Sequence, residues 1–146
     1  MTDPEPFRAL GIDLGTVRIG LAVSDPGGSI ALPLETVERI GPRQDLERIA
    51  RRVREVEACA VVVGLPKLLS GEEGEQAAAA REFAERLSRR LGDVPVALWD
   101  ERLTTVEAER TMISGGVSRR RRKASVDPMA AALILQGWLD ARANMR

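Results

Sequence analysis

The spacing of apolar residues changes period along this chain, and that change restricts the fold to a mixed α/β class. Two apolar runs, Arg8 to Asp13 and Ile19 to Ser24, flank the turn residues Gly15-Thr16 and predict a β-hairpin. A third short strand is expected from Ala31 to Val37, after the turn sequence Asp25-Pro26-Gly27-Gly28. The N-terminal part of the chain therefore predicts a three-stranded antiparallel meander.

Helical periodicity begins after the meander and alternates with short buried strands. Apolar residues recur at intervals of three and four in Gln44 to Glu57 and in Glu75 to Leu91, which predicts two amphipathic helices. The runs Ala60 to Gly64 and Val94 to Trp99 predict the fourth and fifth strands. This alternation is typical of βαβ crossovers, so the predicted sheet is mixed, five-stranded and flanked by helices.

Two further helices are expected in the C-terminal third. Thr104, with Glu107 three residues later, has the pattern of a capping box and predicts a third helix that ends at Gly115-Gly116. A last helix is expected from Pro128 to Ala143. Strands and helices thus account for most of the chain.

Length and composition indicate one domain. The 146 residues are 44% hydrophobic and 30% charged, which suffices for one core but not for two. We expect a single domain over residues 1–146, with a short tail at 1–7 and a basic mobile loop at 116–126. Because no stretch approaches the ~20 apolar residues of a membrane span, a soluble, cytoplasmic protein is expected. The one cysteine, Cys59, adjoins an apolar run and is predicted to be buried.

Histidine is absent from the sequence, and this excludes several kinds of catalytic centre. A Ser-His-Asp triad, a Cys-His pair and a His-ligated zinc site all require it. Carboxylates remain as the groups most able to carry chemistry. The 22 Lys and Arg residues balance the 22 Asp and Glu residues, so any basic surface must come from segregation of charge along the chain.

Several carboxylates lie where ligand sites form in α/β sheets. Asp13 ends the first strand beside a glycine-rich turn, although a turn aspartate that binds backbone N–H groups fits equally well. Asp100 and Glu101 follow the fifth strand; since adjacent residues face opposite ways, at most one points into a given site, and the other can pair with Arg102. Asp127 precedes a proline at a helix start, as an N-cap residue does.

Together these positions favour a metal centre. Hard divalent cations prefer oxygen ligands, and two of them about 3.5–4 Å apart can drive phosphodiester cleavage without histidine. Carboxylates brought close together repel one another, so such a site needs a cation. We expect Mg²⁺ or Mn²⁺ as the cofactor, bound as two ions.

Four motifs resemble the YqgF family, also called RuvX, over about Arg8 to Trp138. They are Gly11-Ile12-Asp13-Leu14-Gly15-Thr16 with Arg18-Ile19-Gly20, Val61-Val62-Val63-Gly64-Leu65-Pro66, Asp100-Glu101-Arg102-Leu103-Thr104-Thr105, and Val126-Asp127 with Ala130-Ala131. The resemblance implies an RNase H-like fold similar to that of the Holliday junction resolvase RuvC. It also implies that Asp13, Glu101 and Asp127 form an acidic, catalytic, metal-binding centre.

Positively charged residues are expected to hold a nucleic-acid backbone near this centre. Such phosphate contacts depend on salt and carry no sequence information. For the basic run before Asp127, a solvated loop is the alternative interpretation. The predicted contacts are Arg18, Arg102, Arg119, Arg120, Arg121, Arg122 and Lys123.

The leading hypothesis, implied by the resemblance, is a metal-dependent nuclease acting on structured RNA, in 5′-end maturation of pre-16S rRNA during ribosome biogenesis. A Holliday junction resolvase acting on branched DNA and a non-catalytic nucleic-acid-binding assembly factor stay open as alternatives. Asp13-Leu14-Gly15-Thr16 also resembles the phosphate loop of actin and Hsp70-type ATPases, but those enzymes close two such domains around the nucleotide. The protein is expected to be a monomer or a homodimer.

Overall fold

The computed structural model describes residues 7–68, 70–103 and 126–145, with side chains in the last range described from Pro128 onwards. In chain order the elements are β1 (Ala9–Leu14), β2 (Arg18–Ser24), β3 (Ala31–Glu38), α1 (Pro42–Glu55), β4 (Ala60–Leu65), α2 (Glu75–Leu91), β5 (Val96–Asp100), a 3-10 turn (Glu101–Leu103) and α3 (Val126–Asn144).

The elements predicted within these ranges are present, and their ends lie within two residues of the predicted ones. The helix expected from Thr104 and most of the basic loop expected at 116–126 lie outside the described residues. Of the helices in the described ranges, none is both long and apolar enough to cross a membrane.

The five strands form one mixed sheet in the order β3-β2-β1-β4-β5, which confirms the predicted architecture. β2 is antiparallel to both β1 and β3, whereas β4 is parallel to both β1 and β5. The carboxyl ends of β1, β4 and β5 therefore meet at one edge of the sheet.

Helices cover both faces of the sheet. Alternate strand residues point to opposite faces, so each strand contributes to two clusters. The first cluster joins α1 and α2 to the sheet through Leu10, Ile12, Leu21, Val61, Val63, Ile49, Val53, Phe83 and Leu87. The second joins α3 to the sheet through Ala9, Ala22, Val62, Ala131, Ile134 and Leu135.

A glycine in β1 lets α3 lie close to the centre of the sheet. A Cβ atom at Gly11 would stand 2.7 Å from Cβ of Leu135 and 2.9 Å from the carbonyl oxygen of Ala131. Distances this short leave no room for a side chain. The backbone of β1 and the helix are therefore in direct contact.

A buried amide fixes α3 against the edge of the sheet at β3. Gln136 is fully buried and accepts a hydrogen bond of 2.8 Å from the backbone N–H of Ala31. Its amide nitrogen donates to the carbonyl of Ser29 at 2.9 Å and to Asp140 at 3.0 Å. These bonds satisfy the polar atoms that burial would otherwise leave unpaired.

The prediction of a buried cysteine is wrong, because Cys59 is exposed. β4 begins only at Ala60, so Cys59 lies on the loop before the buried strand. Its backbone N–H donates to the carbonyl of Arg8 at 2.7 Å, which fixes the loop while the side chain faces solvent.

Candidate active site

The candidate site lies at the edge of the sheet where the three parallel strands end. Asp13 is the last residue but one of β1, and Glu101 directly follows β5. Asp13 faces the α3 side of the sheet, because it lies two residues after Gly11, which contacts that helix. This placement agrees with the rule that ligands bind at the carboxyl ends of parallel strands.

Gly64 makes room for Glu101 beside Asp13. The register pairs Ile12 with Val63, and continuing it by one residue brings Gly64 opposite Asp13. A Cβ atom at position 64 would stand 3.2 Å from both Cγ and Cδ of Glu101. The side chain of Glu101 therefore folds across Gly64. Sequence reasoning gave this glycine no role of its own, although a glycine inside a β-branched strand is a sign of close approach.

Burial raises the pKa of both carboxyl groups, and repulsion by neighbouring carboxylates adds to this rise at Glu101. Burial raises the pKa of Asp13 above its usual value. For Glu101, burial, then the charge of Asp13, then the charge of Asp100 raise the pKa to about 7. Two half-buried carboxylates that repel each other form a site that a divalent cation would stabilise.

Asp100 forms an ion pair with Arg102 and faces away from Glu101, since adjacent residues point to opposite sides. Its carboxylate accepts hydrogen bonds from the backbone N–H of Arg102 at 2.9 Å and from Nη2 of the same residue at 2.7 Å. The bond from the Arg102 side chain holds the pKa of Asp100 below its usual range. Nζ of Lys67 lies 3.9 Å away. Of the two adjacent carboxylates, Glu101 is the one that lies beside Asp13.

The predicted phosphate-binding arginines occupy different positions. Arg18 is exposed at the start of β2 and lines a cleft together with Asp13. Arg102 is exposed as well, but its guanidinium is paired with Asp100. The run from Arg119 to Lys123 lies outside the described residues. Of the predicted cations that the structure describes, Arg18 thus shares a cleft with Asp13.

Helix α3 runs antiparallel to β1 and begins at the edge of the sheet where Asp13 lies. Towards the end of the helix, Trp138 stacks on Phe7, which precedes β1, with ring centroids 6.3 Å apart. Nearer the start of the helix, Ala131 contacts Gly11 in the middle of β1. The N-terminus of α3 therefore points towards the carboxyl end of β1.

The backbone of Asp127 lies at about the level of Asp13. Asp127 is four residues before Ala131, which is about 6 Å along a helix. Asp13 is two residues after Gly11, which is about 7 Å along a strand. The start of the helix is therefore aligned with the carboxylate pair, whereas the side chain of Asp127 lies outside the description.

The described donor atoms suit a hard divalent cation. Among the side chains that the structure describes, no group of three acidic or cysteine residues is arranged to hold a metal ion. Asp13 and Glu101 are two of the three residues predicted as ligands, and both carry oxygen atoms of the kind that Mg²⁺ and Mn²⁺ prefer. The half-buried, mutually repelling pair therefore fits such an ion.

An ion pair between the half-buried Arg39 and the buried Asp45, which sequence reasoning missed, holds the turn that follows β1. Nη1 of Arg39 donates to the carbonyl of Gly15 at 3.0 Å, and the backbone N–H of Arg39 donates to the carbonyl of Val17 at 2.9 Å. Nε of Arg39 donates to Asp45 at 3.2 Å. Asp45 is fully buried and also accepts from the backbone N–H of Ile40 at 2.9 Å. The first turn of α1 thereby supports the turn beside Asp13.

Sequence comparison relates the chain to named families and proteins. A family model described as "RuvX: Holliday junction resolvase" matches residues 7–141. A protein of Nocardia farcinica is 54% identical over 97% of this chain and 82% of its own length. A protein of Rhodococcus opacus is 50% identical over the same shares of both chains. Both are named "Putative pre-16S rRNA nuclease".

Comparison with solved structures shows which known fold the chain resembles. Thermus thermophilus RuvC in complex with a Holliday junction substrate has a TM-score of 0.67 at 19% identity, over 94% of this chain and 96% of that one. The Fowlpox virus resolvase in complex with Holliday junction DNA has a TM-score of 0.56 at 8% identity, over 93% and 99%. The fold is thus RuvC-like, as expected, and the family match shows that the chain belongs to the RuvX family.

Proposed function

We propose that this nuclease hydrolyses phosphodiester bonds of the pre-16S rRNA precursor with the help of divalent cations. The observation that carries the proposal is the pair of Asp13 and Glu101 at the carboxyl ends of β1 and β5, where Glu101 folds across Gly64 beside Asp13. They lie close enough for the charge of Asp13 to add to the effect of burial in raising the pKa of Glu101. The sequence relatives named for pre-16S rRNA support the choice of substrate. Such a substrate places the reaction in the cytoplasm.

The carboxylates would act as ligands through their oxygen atoms. Asp13 and Glu101 would hold Mg²⁺ or Mn²⁺ between the ends of β1 and β5, and Asp127 would complete the set from the start of α3. Bound cations would supply activation of the attacking water and stabilisation of the leaving oxygen. Glu101 would lose its proton when it becomes a ligand, since a nearby cation favours the charged carboxylate.

Positive side chains would hold the substrate strand. Arg18 stands at the cleft beside Asp13, and the run from Arg119 to Lys123 precedes Asp127 in the sequence. Arg102 would reach phosphate only by leaving Asp100. These contacts would position the backbone without reading bases.

The proposal is tested by cleavage assays with one changed carboxylate. The parent and an Asp13→Asn variant are incubated with labelled pre-16S rRNA fragments and with a four-way DNA junction, in Mg²⁺, Mn²⁺ or EDTA. Asp93→Asn is the matched control, because Asp93 is exposed on the loop before β5, at the opposite end of that strand. We expect metal-dependent cutting of RNA by the parent and the control, and none by Asp13→Asn. Full activity of Asp13→Asn would exclude the assignment.

Resolution of branched DNA is the second candidate function. The matched family model is described as a Holliday junction resolvase, and the RuvC structure that this chain resembles contains a junction. Cutting of the four-way junction but not of the RNA in the same assay would favour this candidate.

A further inference from the structure

A cleft of about 210 Å³ opens on the side of Asp13 away from Glu101. Its lining includes Asp13, Thr16, Arg18 and Thr36. We propose that this cleft binds the ribose and phosphate of the substrate strand next to the scissile phosphate. In it, the hydroxyl of Thr36 contacts the ribose 2′-OH, which makes the site selective for RNA over DNA.

The strand register places Asp13 and Thr36 on one face with a glycine between them. Asp13 pairs with Gly20 across β1 and β2, and Gly20 pairs with Thr36 across β2 and β3. Directly paired residues of neighbouring strands point to the same face. Since strands lie about 4.8 Å apart, the Cα atoms of Asp13 and Thr36 are roughly 10 Å apart. Gly20 forms the floor between them.

A glycine lies beside Asp13 on each neighbouring strand, Gly64 on β4 and Gly20 on β2. Over Gly64 the space is filled by the side chain of Glu101, which completes the carboxylate pair. On the other side of Asp13, the buried Gly20 helps to line the cleft, whose other lining residues include the exposed Thr16 and Arg18 and the half-buried Thr36. Asp13 thus stands between a cation-binding side and a side free to receive the substrate strand.

The lining of the cleft is complementary to a sugar–phosphate backbone. Arg18 carries the positive charge that a phosphate requires, and the hydroxyls of Thr16 and Thr36 can both donate and accept hydrogen bonds. A ribose 2′-OH also donates and accepts, and it is the group that distinguishes RNA from DNA. None of the residues placed around the cleft is aromatic, which disfavours a stacked base as the occupant.

Among the side chains of the cleft, Thr36 is best placed to read the sugar. Thr16 and Arg18 belong to the exposed β1–β2 turn, whereas Thr36 is half-buried within a strand on the far wall. A hydroxyl held by a strand has fewer positions available than one on a turn. It can therefore favour one geometry of the bound ribose.

The inference rests on the proposed nuclease function, because Asp13 is shared by the cleft and the carboxylate pair. Binding is measured by fluorescence anisotropy with a short single-stranded RNA and a DNA of the same sequence, in Ca²⁺. Thr36→Val removes the hydroxyl but keeps the branched shape, and Thr36→Ser keeps the hydroxyl. Ser88→Ala, on the exposed side of α2, is the control for loss of a hydroxyl elsewhere.

We expect the parent to bind RNA more tightly than DNA. Thr36→Val should lose about fivefold to tenfold in affinity for RNA, as for one hydrogen bond, with little change for DNA. Thr36→Ser should retain most of the preference, and Ser88→Ala should behave as the parent does. Equal affinity of the parent for both strands, or an unchanged preference in Thr36→Val, would overturn the inference.

A cleavage experiment locates the contact along the strand. Single 2′-deoxy nucleotides are introduced in turn around the cut site of the RNA. At one position, the 2′-deoxy substitution should slow cleavage by the parent about as much as Thr36→Val slows cleavage of the unmodified RNA. Combining that substitution with Thr36→Val should cause no further loss. Additive losses at every position would contradict the contact. If the parent cuts no RNA, the proposed function fails, and the binding measurement alone decides the inference.

Discussion

Among the described residues, Glu101 has a carboxyl group whose charged form is strongly disfavoured by the fold. Its pKa is raised from 4.5 to about 7, first by burial and then by Asp13. The folded protein therefore holds this proton more tightly than the unfolded chain does. The associated stability is complete below pH 4.5 and is lost as the pH rises through about 7.

We predict that Glu101→Gln stabilises the metal-free protein at alkaline pH. Glutamine keeps the shape of the side chain and removes the negative charge that burial and Asp13 disfavour. After allowance for solvent screening, the gain in unfolding free energy at pH 8 should be about 1–2 kcal/mol, with little gain at pH 4. Urea unfolding of the parent and the variant in EDTA, from pH 4 to pH 8, measures this gain in unfolding free energy. Glu72→Gln, at an exposed position, is the control, and an equal gain at both pH values would contradict the cause.

Asp45 is a buried carboxylate with the opposite shift. Burial alone raises its pKa, but hydrogen bonds from the N–H of Ile40, from Arg39 and from the N–H of Gly41 outweigh burial and lower it below 3.8. The stability from these bonds is present above the pKa of the unfolded chain and is lost as the pH falls through the lower folded value.

We predict that Asp45→Ala destabilises the fold by about 2–4 kcal/mol at neutral pH, because it removes the carboxylate partner of Arg39 and the acceptor of the N–H groups of Ile40 and Gly41. Asp45→Asn keeps an acceptor oxygen and should lose less. Chemical denaturation of both variants measures the difference. Equal losses would show that the charge, rather than the hydrogen bonds, dominates.

Single residues differ in how far the sequence alone reveals their role. The positions of Asp13 and of the Asp100-Glu101 pair at the ends of strands are predictable, and such ends are where ligands bind. The choice of Glu101 over Asp100 comes from the family resemblance and not from the strand pattern. The pairing of Arg39 with Asp45 is not predictable, since it depends on where the β1–β2 turn lies relative to α1. The burial of Cys59 was predicted from its apolar neighbours, but Cys59 precedes β4, which begins at Ala60 as predicted, so its side chain does not share the burial of the strand.

At the scale of elements, glycines decide how closely helices and strands approach the site. Gly64 is such a position in β4. A Cβ atom there would stand 2.5 Å from Cδ1 of Ile134 in α3 and 3.2 Å from Glu101. Both side chains would have to move to accommodate a methyl group, and either movement changes the carboxylate pair or its support.

We predict that Gly64→Ala lowers the cleavage rate at least tenfold, since a displacement of about 1 Å in a catalytic group can cost far more than this. Overpacking should also destabilise the protein by about 1–3 kcal/mol. Gly74→Ala is the matched control, because a Cβ atom at Gly74 meets nothing within 4 Å. Cleavage rates and thermal melting are compared for all three proteins. If Gly64→Ala cleaved as fast as the parent, the reaction would tolerate a displacement of Glu101.

The order of elements follows from the sequence, whereas their ends and local irregularities follow from details of the backbone. Apolar periodicity reports burial, so it reveals each strand and helix. α1 begins at Pro42, two residues before the predicted start, because proline suits the first turn of a helix. The register shift opposite Leu21 and Ala22, which restores Pro33 to the buried face, has no signal in the apolar pattern.

At the scale of the whole molecule, the protein has no net charge, yet a nuclease has to bind a polyanion. The formal charges cancel, with 22 on each side. Binding therefore depends on where the charges lie. The two carboxylates of the site would repel phosphate until a cation neutralises them, so substrate binding and cation binding should support each other.

The last prediction concerns the salt dependence of RNA binding. If Arg120 and Arg121 contact phosphates, replacing both by Gln should weaken binding equally for all sequences and lower the slope of log K against log salt by about 2. Arg86 and Arg89 are the matched control pair, because they lie on the exposed side of α2, across the sheet from the carboxylates. Their replacement should leave the slope unchanged. A slope lowered equally by both pairs would mean that binding follows total charge, and the basic run would then have no specific place at the site.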